Sequence, residues 1–204
     1  MAASPLSTAR SWLFVPGSRP ERIGKALAAG ADAVIIDLEN AVALPDKASA
    51  RDAIRQAWPQ IEPAMRARVL VRTNASSTPF HADDLALLAH LDGLGALMLP
   101  KTESTAQLAQ VRQQLPAVPI VALVETAEGI AMADAIARSA GVLRLALAHI
   151  DLLADLGMPA ASGGMELLPA RWALLLASRR AGLPAPVDGV TTATADPALC
   201  LQDA

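Results

Sequence analysis

The chain has 204 residues, a formal net charge of −3, 53% hydrophobic and 18% charged residues, and only 2% aromatics with no tyrosine. That much apolar material excludes a disordered chain, and the scattered cations and scarce aromatics exclude a nucleic-acid binder. The lone Cys200 excludes an internal disulfide framework or a cysteine zinc cluster, and His81, His90 and His149 are too far apart for a helical or hairpin metal motif.

In chain order, apolar runs of strand length occur at Trp12–Val15, Ala33–Leu38, Arg68–Thr73, Ala96–Leu99, Ile120–Val124 and Leu143–Ala148, with a shorter one at Val187–Val190. These runs are continuous rather than alternating, as in strands buried on both faces. Between them lie alanine-rich stretches of helical period at Glu21–Ala29, Lys47–Ala57, Pro79–Leu91, Thr105–Gln114, Ile130–Arg138 and Glu166–Ala181. The spacing is that of βα units and predicts a parallel sheet. Ser104 and Gln107 have the spacing of a capping box, Asp46 is placed to cap the helix from Lys47, and Pro79 suits a first turn. Gly30, Gly141 and Gly182 are expected to end helices. Met98, Met132 and Met165 read as core filling, and Trp58 and Trp172 as packing anchors.

No linker or low-complexity tract divides the sequence, so residues 1–204 read as one domain. No apolar run reaches bilayer-spanning length, and residues 1–10 lack the apolar stretch of a signal peptide, so a cytoplasmic protein with no membrane partner is expected.

Two parallel architectures compete. A doubly wound sheet usually carries a glycine-rich phosphate loop after its first strand, but here Pro16-Gly17-Ser18-Arg19-Pro20 follows. The regular βα spacing and the polar residues at strand ends favour a TIM-type (β/α)8 barrel that stops before an eighth strand. On a barrel the C-terminal strand ends form one rim. That rim would collect Asp37, Glu39 and Asn40, then Arg72 and Asn74, Lys101, Glu125, and His149 with Asp151. Glu125 and Asp151 end neighbouring strands and suit a shared Mg²⁺; Arg72 offers a fork to a carboxylate or enolate oxygen, and Lys101 a point charge. The same residues have structural readings: Glu125 as an acid at a helix N-terminus, Asp151 as a helix cap, and Arg72 with Asp37 as a buried pair. Taken as a set, they read as metal-assisted carbanion chemistry.

Arg10-Ser-Trp-Leu-Phe-Val-Pro-Gly-Ser-Arg-Pro20 and Gly30-Ala-Asp-Ala-Val-Ile-Ile-Asp-Leu-Glu-Asn-Ala-Val42 are followed by Val71-Arg-Thr-Asn74 and Leu99-Pro-Lys101. Val124-Glu-Thr-Ala-Glu-Gly129 and Asp151-Leu-Leu-Ala-Asp-Leu-Gly157 complete the series. In this order the segments resemble the citrate lyase beta-subunit-like family of acyl-CoA lyases, within the HpcH/HpaI aldolase group of barrels. The resemblance implies cleavage of a 3-hydroxyacyl-CoA of citryl-, malyl- or citramalyl-CoA type into an acyl-CoA and a 2-oxoacid. It also implies Mg²⁺ on Glu125 and Asp151, Arg72 steadying the enolate, Asp37 and Glu39 lining the pocket and orienting Arg72 or metal waters, and Arg19 and Lys25 meeting CoA phosphates. Homo-oligomers, trimers or hexamers, are implied too. Asn40 replaces an acid usual in the family, Ala148 replaces a glycine, and the family's eighth strand and C-terminal segment are missing, so weakened or absent turnover is expected. The competing readings are an aldolase acting on free 2-oxoacids and a non-catalytic or regulatory barrel subunit.

Overall fold

The computed structural model describes residues 4–159, 164–192 and 195–203. Six of the apolar runs form strands: β1 (Trp12–Pro16), β2 (Ala33–Asp37), β3 (Val69–Arg72), β4 (Ala96–Leu99), β5 (Ile120–Val124) and β6 (Val142–Leu147). They pair in parallel in the order β1-β2-β3-β4-β5-β6. A doubly wound sheet reverses its order at a switch point, and this one does not; each strand lies beside its predecessor, as in a (β/α)8 barrel. The expected strand at Val187–Val190 is reduced to a single bridge between Val187 and Ala146. Leu147 N–H donates to Val187 O and Val187 N–H to Leu145 O, both at 2.9 Å, and the ladder goes no further.

Connecting and following the strands are α1 (Ile23–Ala28), α2 (Lys47–Ala57), α3 (Pro63–Arg66), α4 (His81–Leu88), α5 (Thr105–Gln114), α6 (Ala127–Ala131), α7 (Ala133–Ala137), α8 (His149–Asp155), α9 (Leu168–Ala181) and α10 (Pro197–Asp203). Ser104 and Gln107 make the expected capping box on α5. Asp46 precedes α2 but makes no side-chain cap, and α4 begins after Pro79, with Phe80 at its N-cap. The stretch expected as one helix over Ile130–Arg138 breaks at Met132 into α6 and α7. Met165 and Trp172 are 68% and 66% exposed and are not core residues, whereas Trp58 is buried and donates its indole N–H to Asp92 O at 3.1 Å.

Successive strand residues point to opposite faces, so the continuous apolar runs feed two cores. Val34, Ile36, Val69, Val71, Leu97 and Leu99 pack under the helices. Ala33, Ile35, Leu70, Met98, Val121 and Ala146 form the inner core, joined by Leu6 from the N-terminal segment. The same alternation carries Asp37 and Arg72 onto the inner side at the last position of their strands, where Asp37 registers with Arg72. The rim chemistry is thus a continuation of the inner-core periodicity.

At the opposite end, Arg144 shares the inner parity of Ala146. Its Nη1 donates to Leu6 O (3.2 Å) and Ala9 O (2.7 Å), its Nε to Ala185 O (2.9 Å), and its guanidinium lies 5.4 Å from the Trp12 ring centroid. One buried cation thereby ties the N-terminal segment, β6 and the chain before Val187 into a plug. Arg144→Met leaves three carbonyls without this donor and is expected to lower unfolding free energy by about 3 kcal/mol, read as a lower urea midpoint. An unchanged midpoint would show that the plug contributes nothing.

Candidate active site at the C-terminal rim

Asp37 is 1% exposed, a position a carboxylate tolerates only when fully hydrogen-bonded. Arg72 supplies a two-pronged pair, Nε to Oδ1 at 2.8 Å and Nη2 to Oδ2 at 2.7 Å. The backbone N–H groups of Glu39 and Ala41 donate to the same carboxylate at 2.8 and 2.9 Å, shaping the loop that follows β2. Gly17 permits that loop's approach: its N–H donates to Asp37 O at 2.8 Å, and a Cβ there would sit 2.9 Å from that oxygen. Arg72 also lies 4.9 Å from the Phe14 ring centroid, and its Nη1 is 3.4 Å from Glu39 Oε2. With Nε and one N–H of Nη2 held by Asp37 and Nη1 facing Glu39, one N–H on each terminal nitrogen is left uncommitted among the described residues. The structural and functional readings of the Asp37–Arg72 pair are therefore compatible, because the pair that buries Asp37 also aims Arg72.

Helices behind the sheet hold the two rim loops in place. The buried Lys47 Nζ donates to Leu38 O and Glu39 O, both at 2.6 Å, and lies 5.9 Å from the Phe80 ring centroid. One turn on, Arg51 Nη1 pairs with the fully buried Asp84 at 3.1 Å. Asp84 Oδ2 accepts from both the backbone and side-chain nitrogens of Asn74 at 2.7 Å, and Asn74 O lies 2.9 Å from His81 Nδ1. Asn74 thus shapes the loop after Arg72. The sequence reading missed Lys47, Arg51 and Asp84. Their one sequence signal was Lys47 at the start of a helix, where a cation opposes the macrodipole.

Across the rim, Glu125 directly follows β5 and is 1% exposed. Burial, reinforced by the charge of Glu39 and, to a smaller extent, Asp151, pushes its carboxyl from 4.5 to about 7, against the lowering effect of the Lys101 N–H. Burial also raises Glu39, opposed by Arg72 and aided by Asp37 and Asp151. Glu39 Oε2 is buried, and Arg72 Nη1 at 3.4 Å pairs with it by charge without a formed hydrogen bond. Asp151, partly buried, lies in the first turn of α8, not at its cap, so the helix-capping reading fails. Glu125 likewise lies outside α6, whose cap is Thr126, with its side chain accepting from Gly129 N–H. The Lys101 side chain is exposed; it is the Lys101 backbone N–H that reaches Glu125 Oε1, at 2.7 Å. Arg19 is paired with exposed Glu21, and Lys25 is exposed on α1. Neither is joined to the carboxylates by a bond among the described residues. Asn40, the neutral replacement, is exposed, and Ala148 N–H continues the sheet to Val124 O at 3.1 Å.

Two acids, Glu39 and Glu125, whose proton affinity is raised by burial and by neighbouring negative charge including that of Asp151, suit a hard cation. No group of three or more His, Cys, Asp or Glu side chains among the described residues has the arrangement of a complete metal cage. Two carboxylates with the remaining positions left to water and substrate oxygens is the pattern of Mg²⁺ rather than of a structural metal.

The model of the HpcH/HpaI aldolase/citrate lyase family matches residues 10–204. The chain belongs to this family. Among its curated members, the citrate lyase subunit beta-like protein of Deinococcus radiodurans is 37% identical, the match covering 98% of this chain and 72% of that protein. A (3S)-malyl-CoA thioesterase of Cereibacter sphaeroides is 34% identical over 92% of this chain and 65% of its own length. Among solved family structures, the Mycobacterium tuberculosis citrate lyase beta subunit complexed with oxaloacetate and magnesium superposes with a TM-score of 0.81 at 37% identity, covering 94% of this chain and 83% of that one. The same organism's protein CitE in complex with magnesium, acetoacetate and coenzyme A gives a TM-score of 0.80 at 36% identity, covering 93% and 69%. The match to this chain spans 72% of the length of the Deinococcus radiodurans protein and 50% of that of a citrate lyase subunit beta-like protein of Mycobacterium tuberculosis. The α/β fold with a parallel sheet is that of the family.

Proposed function

We propose that this chain is a Mg²⁺-dependent carbon–carbon lyase that splits a 3-hydroxyacyl-CoA thioester into an acyl-CoA and a 2-oxoacid through an enolate. The observation that carries this reading is Arg72, locked by Asp37 and paired with the half-buried Glu39, on the same rim as the buried Glu125, with the charge of Asp151 acting on both glutamates. Relatives solved with magnesium, oxaloacetate, acetoacetate and coenzyme A support the same ligand classes here.

Glu125 and Asp151 are the residues that would hold the metal, which when bound supplies Lewis acidity and a template for the 2-oxoacid half. Cleavage breaks the bond between the thioester α-carbon and the hydroxyl-bearing carbon as that hydroxyl loses its proton. The electron pair moves onto the thioester carbonyl, and the resulting enolate takes a proton at carbon. Arg72 directs its free N–H groups at the developing enolate oxygen, where a fixed cation stabilises the transition state more than the neutral thioester. Asp37 holds the guanidinium plane and Glu39 lines the opposite edge. Lys101 places charge at the rim, and Arg19 and Lys25 lie on the exposed side where coenzyme A phosphates would lie. We further propose that residues 1–204 act as one barrel unit, within a homo-oligomer, in the cytoplasm; no helix among the described residues is long and apolar enough to cross a membrane.

Calorimetric titration of oxaloacetate, with and without Mg²⁺, tests the site. Binding is expected only with the metal and is expected to disappear in Glu125→Gln. Equal binding by both proteins, or binding without Mg²⁺, would overturn the assignment of Glu125.

A further inference from the structure

Among the described residues, Lys101 is the one non-glycine with positive φ, at 46°. For an L-residue with a side chain this left-handed conformation is unfavourable and persists only where surrounding bonds hold it. Those bonds are present on both sides. Gln107 Nε2 donates to Lys101 O at 3.1 Å and to Ser76 Oγ at 2.9 Å, while Gln107 Oε1 accepts from the N–H groups of Glu103 and Ser104 at 2.8 and 2.9 Å. Thr102 N–H donates to Leu123 O at 3.1 Å and Thr102 Oγ1 to Leu99 O at 2.7 Å, so the next residue is pinned to β4 and β5. What the strained residue delivers is its backbone N–H, donated at 2.7 Å to Oε1 of the buried Glu125. The residue itself is exposed, and its charge acts on Glu39.

From this geometry we infer that Lys101 is a positioning residue acting through its backbone. Its left-handed turn, locked by Gln107, holds one oxygen of Glu125 and so leaves the other oriented toward the cation site, while the ammonium group is dispensable for that task. This inference rests on the proposed metal site and gives the Lys101 backbone a role separate from the rim charge carried by its side chain. The capping box of α5 then has a second duty: Gln107 joins the loop after β3, the loop after β4 and, through Lys101, the acid directly after β5.

The test separates backbone from side chain. Lys101→Gly deletes the ammonium but favours positive φ; Lys101→Val deletes it and resists positive φ, and Lys101→Asn is intermediate. Mn²⁺ affinity of each folded variant is read by electron paramagnetic resonance. The Gly variant is expected to match the parent and the Val variant to bind roughly tenfold more weakly, the scale of one strained left-handed residue, with Asn between. Equal losses in Gly and Val would show that the ammonium matters, and full affinity in Val would show that the turn does not; either result overturns the inference. A readout without metal keeps the two readings distinct. The Lys101 amide proton should resonate downfield in the parent and Lys101→Gly and move upfield in Glu125→Gln. If the parent binds no Mn²⁺ yet the amide behaves this way, the metal reading fails and the positioning contact stands; an amide indifferent to Glu125→Gln removes the contact itself.

Discussion

Arg72→Met is expected to cost the protein both its enolate chemistry and much of its stability. Asp37, 1% exposed, would lose two hydrogen bonds of 2.7–2.8 Å and remain a buried charge without a cation. Stripping one partner from such a pair typically costs about 3–5 kcal/mol, a loss that a urea titration reads directly. Arg72→Lys separates the two effects: it keeps a cation near Asp37 but loses the planar fork that holds Asp37 with one edge and faces the pocket with the other. Its folding should be closer to the parent, while hydrogen–deuterium exchange at the methyl group of acetyl-CoA, the simplest enolisable thioester, should slow by about a hundredfold or more, as for loss of an oxyanion donor. Exchange in Arg72→Lys at the parental rate would remove Arg72 from the enolate role and leave the pair purely structural.

The second large effect is the pH dependence of the metal-free protein. Glu125 rises from 4.5 in an open chain to about 7 when folded, chiefly through burial. Between those values the folded state binds a proton that the unfolded state has released. Stability is therefore expected to fall as pH rises from about 4.5 to 7 and then level off, by about 3 kcal/mol for a shift of this size. Glu39, also raised by burial, adds to the same slope. Glu125→Gln should flatten most of the slope, and Mg²⁺ should recover the lost stability above pH 7 in the parent alone, because the cation binds the deprotonated acid. Below pH 7 Mg²⁺ affinity should drop about tenfold per unit as a proton competes for the carboxylate. Thermal unfolding from pH 5 to 8, with and without Mg²⁺, measures all of this. A slope that persists in Glu125→Gln would assign it to Glu39 or to groups outside the pocket.

How much of this was legible beforehand depends on the range of the interaction. All six principal strands were visible because burial on both faces demands uninterrupted apolar runs. The seventh was overestimated: Val187–Val190 has the composition of a strand, but the backbone bonds only around Val187. The capping box at Ser104 and Gln107 was readable because its parts lie three residues apart, whereas the further bonds of Gln107 to Ser76 and Lys101 were not. Arg72 and Asp37 were both selected as strand-end groups, but their two-pronged contact depends on the register of β2 against β3. Trp172 and Met165 were misplaced for the complementary reason: apolar type sets a preference for burial, and the faces actually covered are chosen by packing.

By itself the sequence determined a parallel α/β fold, the positions of the rim acids and Arg72, and, through ordered motifs, the family. Those properties lie in local periodicity and in residue identity. Tertiary structure alone decided the use made of Lys47, Arg51, Asp84 and Gln107, the inward role of Arg144, and the donation of the Lys101 backbone N–H to Glu125. Each of these depends on groups distant in sequence meeting within hydrogen-bond range in a poorly solvated place. There, an unpaired polar atom is costly enough to dictate its partner.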